Sequence, residues 1–95
     1  MIRFSWDTRK SIMNKKKHGV SFEEAKTVFY DELAIRYYDP EHSEAEDRFI
    51  MLGLSASLLI LLVSHCYRED DSVIRIISAR KATITEEEAY WRNRS

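Results

Sequence analysis

The sequence predicts an α+β fold, a small antiparallel sheet with helices packed on it. Three observations carry this. Apolar residues alternate with period two in several short segments and recur at helical spacing in others. The links between the last four strand-like segments are short, which makes those strands antiparallel neighbours. Only two glycines and one proline occur in 95 residues, too few for a low-complexity or disordered chain. The predicted order is β-α-α-β-β-β-β-α. At this length one domain over residues 1–95 is expected, with a modest core.

The first segment, MIRFSWD, sets Ile2, Phe4 and Trp6 against Arg3, Ser5 and Asp7, a strand with one buried face. Asp7 stands where a helix N-cap belongs, because its carboxylate can accept an orphan N–H of the first turn. Thr8 to His18 carries only Ile12 and Met13 as large apolar residues, which predicts a helix lying on the surface. Gly19 ends it in a left-handed conformation. Ser21-x-x-Glu24 then opens a second helix as a capping box, with Val20 and Ala25 as its staple. Phe22, Ala25, Val28 and Phe29 give that helix a core-facing side.

LAIRYY alternates and reads as a second strand, and DPEHSEAED is a polar turn closed to further pairing by Asp39-Pro40. RFIMLGL and LLILLVSHCY, separated by SAS, are two core strands; the second is continuously apolar and central. VIRIISA is the last strand, with Ile74, Ile76 and Ser78 facing one way and Val73, Arg75, Ile77 and Ala79 the other. Thr83-x-x-Glu86 caps a C-terminal helix bearing Ala89, Tyr90 and Trp91. Two or three helices do not cover both faces of such a sheet evenly, so one face stays partly open.

The net charge of −1 conceals an asymmetry. Residues 1–20 hold six basic side chains against Asp7, residues 21–47 two basic against nine acidic, and residues 48–95 seven against six. One reading is solvated faces of both signs; the other is a basic end that meets phosphates. The same duality holds at Lys17 and His18, where cations also complement the helix macrodipole. The single cysteine, Cys66, excludes an intramolecular disulfide and fits a reducing cytoplasm, and as part of an apolar run it reads as a small buried hydrophobe. No segment has a signal-peptide core or the ~20 apolar residues of a membrane helix.

Most chemistries lack their residues. There is no C-x-x-C, H-x-x-x-H or H-E-x-x-H, so no metal site is expected, and neither a Gly-rich phosphate loop nor G-x-S-x-G occurs. His42 sits in the acidic loop, where a solvated histidine is the ordinary reading. A stand-alone DNA-binding role lacks a helix-turn-helix pattern. What remains is a set of cationic groups beside structured elements: Lys17, His18, Arg48, His65, Arg75, Arg80 and Lys81. Metal-free RNA cleavage needs only such groups. The substrate's 2′-OH attacks the adjacent phosphorus, an imidazole moves protons, and guanidinium forks hold the phosphoryl oxygens.

FSWDTRK, KKHGVSFEEAKTVFYDELA, DPEHSEAEDRF and IRIISARKAT, in that order, resemble the BrnT family of bacterial toxins, themselves similar in fold to RelE-type ribonucleases. The likeness runs from Phe4 to about Tyr90. It implies a metal-independent endoribonuclease without cofactor that arrests translation in the cytoplasm. It also implies an RNA substrate, no membrane and no direct DNA contact. Neutralisation would come from a cognate DNA-binding, BrnA-like antitoxin in a hetero-oligomer. The family's recurring basic positions fall on Lys10, Lys17, His18, Arg48, Arg75 and Arg80. On this reading His18 transfers protons, Arg48, Arg75 and Arg80 bind phosphate and oxyanion, and Lys17 neutralises charge or acts as acid. Lys10, Lys81 and His65 are placed at substrate binding. Where relatives carry a Gly-Arg turn, this chain has LSASLLILLV, which supports the alternative of a catalytically weak or inactive binding module of the same fold. The acidic DPEHSEAED loop either pairs with basic antitoxin residues or solubilises the chain.

Overall fold

The computed structural model describes residues 2–94. A five-stranded sheet has the order β1 (Arg3–Ser5), β5 (Val73–Lys81), β4 (Ile60–Arg68), β3 (Phe49–Leu54), β2 (Ile35–Tyr38). Strands β2 to β5 form an antiparallel meander, as the short links require. β1 departs from the wholly antiparallel expectation: it pairs parallel with β5, Phe4 opposite Ile74. The two helices between β1 and β2 make this possible, since they carry the chain back across the sheet.

Helix α1 spans Thr8–His18, with Asp7 accepting the Lys10 N–H at 3.0 Å and Gly19 in the left-handed region at φ 74°. Helix α2 spans Phe22–Thr27 and runs into a 3₁₀ turn at Val28–Tyr30. Ser21 Oγ accepts the Glu24 N–H, but the Glu24 carboxylate turns away from the cap to accept the Ser55 hydroxyl in the β3–β4 turn. Helix α3 (Ile84–Arg94) has the reciprocal box, Thr83 and Glu86 each accepting the other's N–H.

One sheet face is covered by Val20, Phe22, Ala25 and Val28, which pack on Leu61, Val63, Ile74, Ile76 and Ala79. The other face is covered only at one end, where Tyr90 of α3 packs on Leu52 and Ile60. Asp31 ties this end together by accepting the Leu54 N–H and the Tyr90 hydroxyl. Gly53 lets the 3₁₀ turn approach closely, for a Cβ there would lie 2.8 Å from both Ala34 Cβ and Val28 Cγ1.

Two features place the functional groups. β1 pairs with β5 only as far as Arg75, and α1 continues along the edge that β1 leaves free. There the Asn14 amide imitates a strand, donating to the Ala79 carbonyl at 2.8 Å and accepting the Ala79 N–H at 3.2 Å, with a further donation to the Val20 carbonyl. Second, β5 carries a bulge: Ser64 faces Ser78 but His65 faces Ile76, leaving Ile77 unpaired. The simple alternation read from the sequence therefore fails beyond Ile76. Ala79 joins Ile74 and Ile76 on the covered face, and Ser78 moves to the open face. Arg80, paired with Leu62, thereby shares the open face with Arg75, paired with Cys66.

Candidate active site

The uncovered part of the open face forms a groove of about 330 Å³. Its floor is Ile50, Leu62 and Ile77 with the hydroxyls of Ser64 and Ser78. His18 enters from the end of α1 and Arg80 from β5. Arg48, Asp39 and His42 enter from the β2–β3 loop, so they come from the β2 side of the sheet and His18 from the β5 side.

Arg48 is the least encumbered cation of the groove. Its acidic sequence neighbours are engaged elsewhere: Glu46 pairs with Arg68, and Asp47 accepts the Tyr38 hydroxyl. Its Nε is buried and has no hydrogen-bond partner among the described residues. A buried guanidinium N–H without a partner, on a residue that lines a groove, is a donor set for an anion. Arg80 is held differently. Its Nη1 and Nη2 donate to the two carboxylate oxygens of Glu86 at 2.8 and 2.9 Å, an end-on fork that fixes the guanidinium at the start of α3. The Arg80 fork holds the Glu86 carboxyl at about 2, well below its ordinary value of 4.5, with the Thr83 N–H assisting. Because the folded value lies below the unfolded one, this stabilisation is complete above about pH 5 and fades as pH falls toward 2. Glu86→Gln should therefore lose on the order of 2 kcal/mol at pH 7 and show a flatter stability curve than wild type between pH 5 and 2, measured by urea unfolding.

Of the eight residues singled out in the sequence, the groove gathers His18, Arg48 and Arg80. Arg75 is on the same face beside Cys66 but outside the groove lining, close to Asp7, whose carboxyl is held low chiefly by the Lys10 N–H and slightly by Arg75. Lys10 and Lys17 are exposed along α1, and Lys81 is exposed at the end of β5. His65 is a correction to the substrate-binding reading. It lies on the covered face, fully buried against Phe29, Phe49 and Tyr67, with Nδ1 donating to the Val63 carbonyl at 3.0 Å. Burial, aided by the Arg36 charge, pushes its pKa down to about 4, so it is a neutral core ring at pH 7. Cys66 is buried as read, and burial raises its thiol pKa. Sequence reasoning read His42 as a solvated loop histidine and Asp39 as part of a turn that ends pairing; the structure puts the two one turn apart at a 3₁₀ turn (Pro40–His42), His42 Nδ1 against the Asp39 carboxylate.

A basic groove on an open antiparallel face agrees with the sequence likeness, and comparison with known proteins decides the family. The family model described as the ribonuclease toxin BrnT of type II toxin–antitoxin systems matches residues 6–86. The chain belongs to the BrnT family. A solved BrnT, the ribonuclease toxin of Brucella abortus, superposes with a TM-score of 0.64 at 25% identity, covering 87% of this chain and 99% of that one. No curated protein matches the chain. Membership makes this a ribonuclease toxin of a type II pair, with RNA as target and an antitoxin as partner. No helix among the described residues is long and apolar enough to cross a membrane.

Proposed function

We propose that this BrnT toxin cleaves RNA without a metal ion, by attack of the 2′-oxygen on the adjacent phosphorus. The O2′–P bond forms as the P–O5′ bond breaks, leaving a 2′,3′-cyclic phosphate and a 5′-hydroxyl. The observation that carries the reading is Arg48, a guanidinium with no ion pair and a buried Nε–H with no partner among the described residues, in one groove with the His18 imidazole. Arg48 takes the non-bridging oxygens, where negative charge develops, and Arg80 adds a second, fixed cation. His18 moves a proton. Lys17, Lys10 and Arg75 lie outside the groove lining and extend the positive track for the RNA backbone, with Lys81 at its far end. The antitoxin is BrnA-like, and its basic residues meet the acidic 39–47 loop beside the groove, forming a hetero-oligomer in the cytoplasm.

Incubation of the purified protein with RNA in EDTA tests this. Cleavage with cyclic phosphate ends is expected; RNA left intact from pH 6 to 8 overturns it. A second reading, an inactive binding module, is favoured by the Glu86 carboxylate already filling one side of Arg80. It requires intact RNA together with a stable antitoxin complex.

A further inference from the structure

We propose that His42, oriented by Asp39, is the second proton-transfer group of the groove and acts with His18. The inference rests on the ribonuclease reading and deepens it. Displacement at phosphorus needs one group to take the 2′-OH proton and another to give a proton to the departing O5′, on opposite sides of the phosphorus. The groove holds two imidazoles, and the fold brings them from opposite sides of the sheet.

His42 is not an ordinary loop histidine. Its Nδ1 lies 2.9 Å from Asp39 Oδ2, and the Asp39 side chain is only 12% exposed while the imidazole is 61% exposed. A carboxylate accepts, so Nδ1 carries the hydrogen and Nε2 is left for a substrate. The loop that presents the pair is cross-linked. The Asp39 N–H donates to the Arg48 carbonyl, the Ser43 hydroxyl to the Asp39 carbonyl, and the Arg48 N–H to Ser43 Oγ. Ser43 thus ties the backbone of Asp39 to the backbone of Arg48, the residue carrying the phosphate-binding guanidinium. A carboxylate at Nδ1 fixes the ring's orientation and its tautomer. The other charges around His42 are Glu41, Glu44, Glu46 and Arg48 from its own loop and, across the groove, Arg80 and His18. In the reaction the proton of the 2′-OH passes to one imidazole and the proton of the other passes to O5′. Both return to their starting states through water when the cyclic phosphate leaves.

The test is single-turnover RNA cleavage in EDTA from pH 5 to 9 by wild type, His42→Ala and Asp39→Asn. His42→Ala should cleave about 10²–10⁴-fold more slowly and lose one limb of the bell-shaped profile. Added imidazole should restore part of its rate, a gain that a structural role would not give. Asp39→Asn, a positioning change, should fall between the two and shift the same limb. Cleavage by His42→Ala at the wild-type rate with both limbs intact overturns the inference alone. A slow variant that keeps both limbs and ignores imidazole also overturns it, since His42 is then structural. Wild type that leaves RNA intact overturns the ribonuclease reading and this inference together.

Discussion

Replacing Arg48 with alanine is expected to slow RNA cleavage by about 10²–10³-fold while leaving the fold in place. That size is typical for loss of one preorganised donor to a developing oxyanion. The two halves of the prediction have the same origin. The Arg48 guanidinium makes no ion pair with Glu46 or Asp47, which are turned to Arg68 and Tyr38, and its buried Nε–H has no partner among the described residues. Removing it takes away a desolvated, unsatisfied donor, so the unfolding midpoint should stay put or rise slightly. Arg48→Lys keeps the charge without the planar fork and should recover only part of the rate. Cleavage rates and thermal unfolding on the same preparations check both halves. A large fall in midpoint with undiminished cleavage would show that Arg48 is a structural residue.

Asn14→Ala is expected to have the largest effect on stability, about 3 kcal/mol, a fall in midpoint of roughly 10–20 °C for a domain of this size. The amide makes three bonds, and two of them satisfy the main chain of Ala79 on the side of β5 that β1 leaves free. Without it, a buried N–H and C=O of the strand lose their partners. The damage reaches the groove, because Asn14 ties α1, which ends in His18, to the residue next to Arg80. Denaturant unfolding measures the stability; a change below about 1 kcal/mol would mean that water replaces the amide at the strand edge.

Local chemistry was legible in the sequence where it depends on near neighbours. Asp7, Gly19, Ser21 and Thr83 mark helix ends through hydrogen bonds spanning three or four residues, and the structure places those ends at the expected residues. The strands of the meander were legible because period-two patterns and short links leave few arrangements. Relations between distant segments were not. The parallel pairing of β1 with β5 and the role of Asn14 depend on where α1 returns to the sheet. The bulge at Ile77 adds a residue that leaves the apolar composition of VIRIISA unchanged. His65 misled because a histidine flanked by Ser64 and Cys66 gives no sign that three aromatic rings from three other positions close around it. His42 was set aside for the opposite reason: an acidic loop suggests solvation, and only the largely shielded Asp39 carboxylate at its Nδ1 distinguishes it.

The unpaired Ile77 also bears on quality control. Arg75 and Arg80 are five positions apart, an odd interval that regular pleating would point to opposite sides. A chain that paired its last strand without the extra residue would drive one guanidinium among Phe22, Val63 and Ile76, at a penalty of several kcal/mol for an uncompensated charge. Such chains would be cleared by proteases instead of persisting as inert decoys. The pool of antitoxin would then be titrated only by copies competent to do harm.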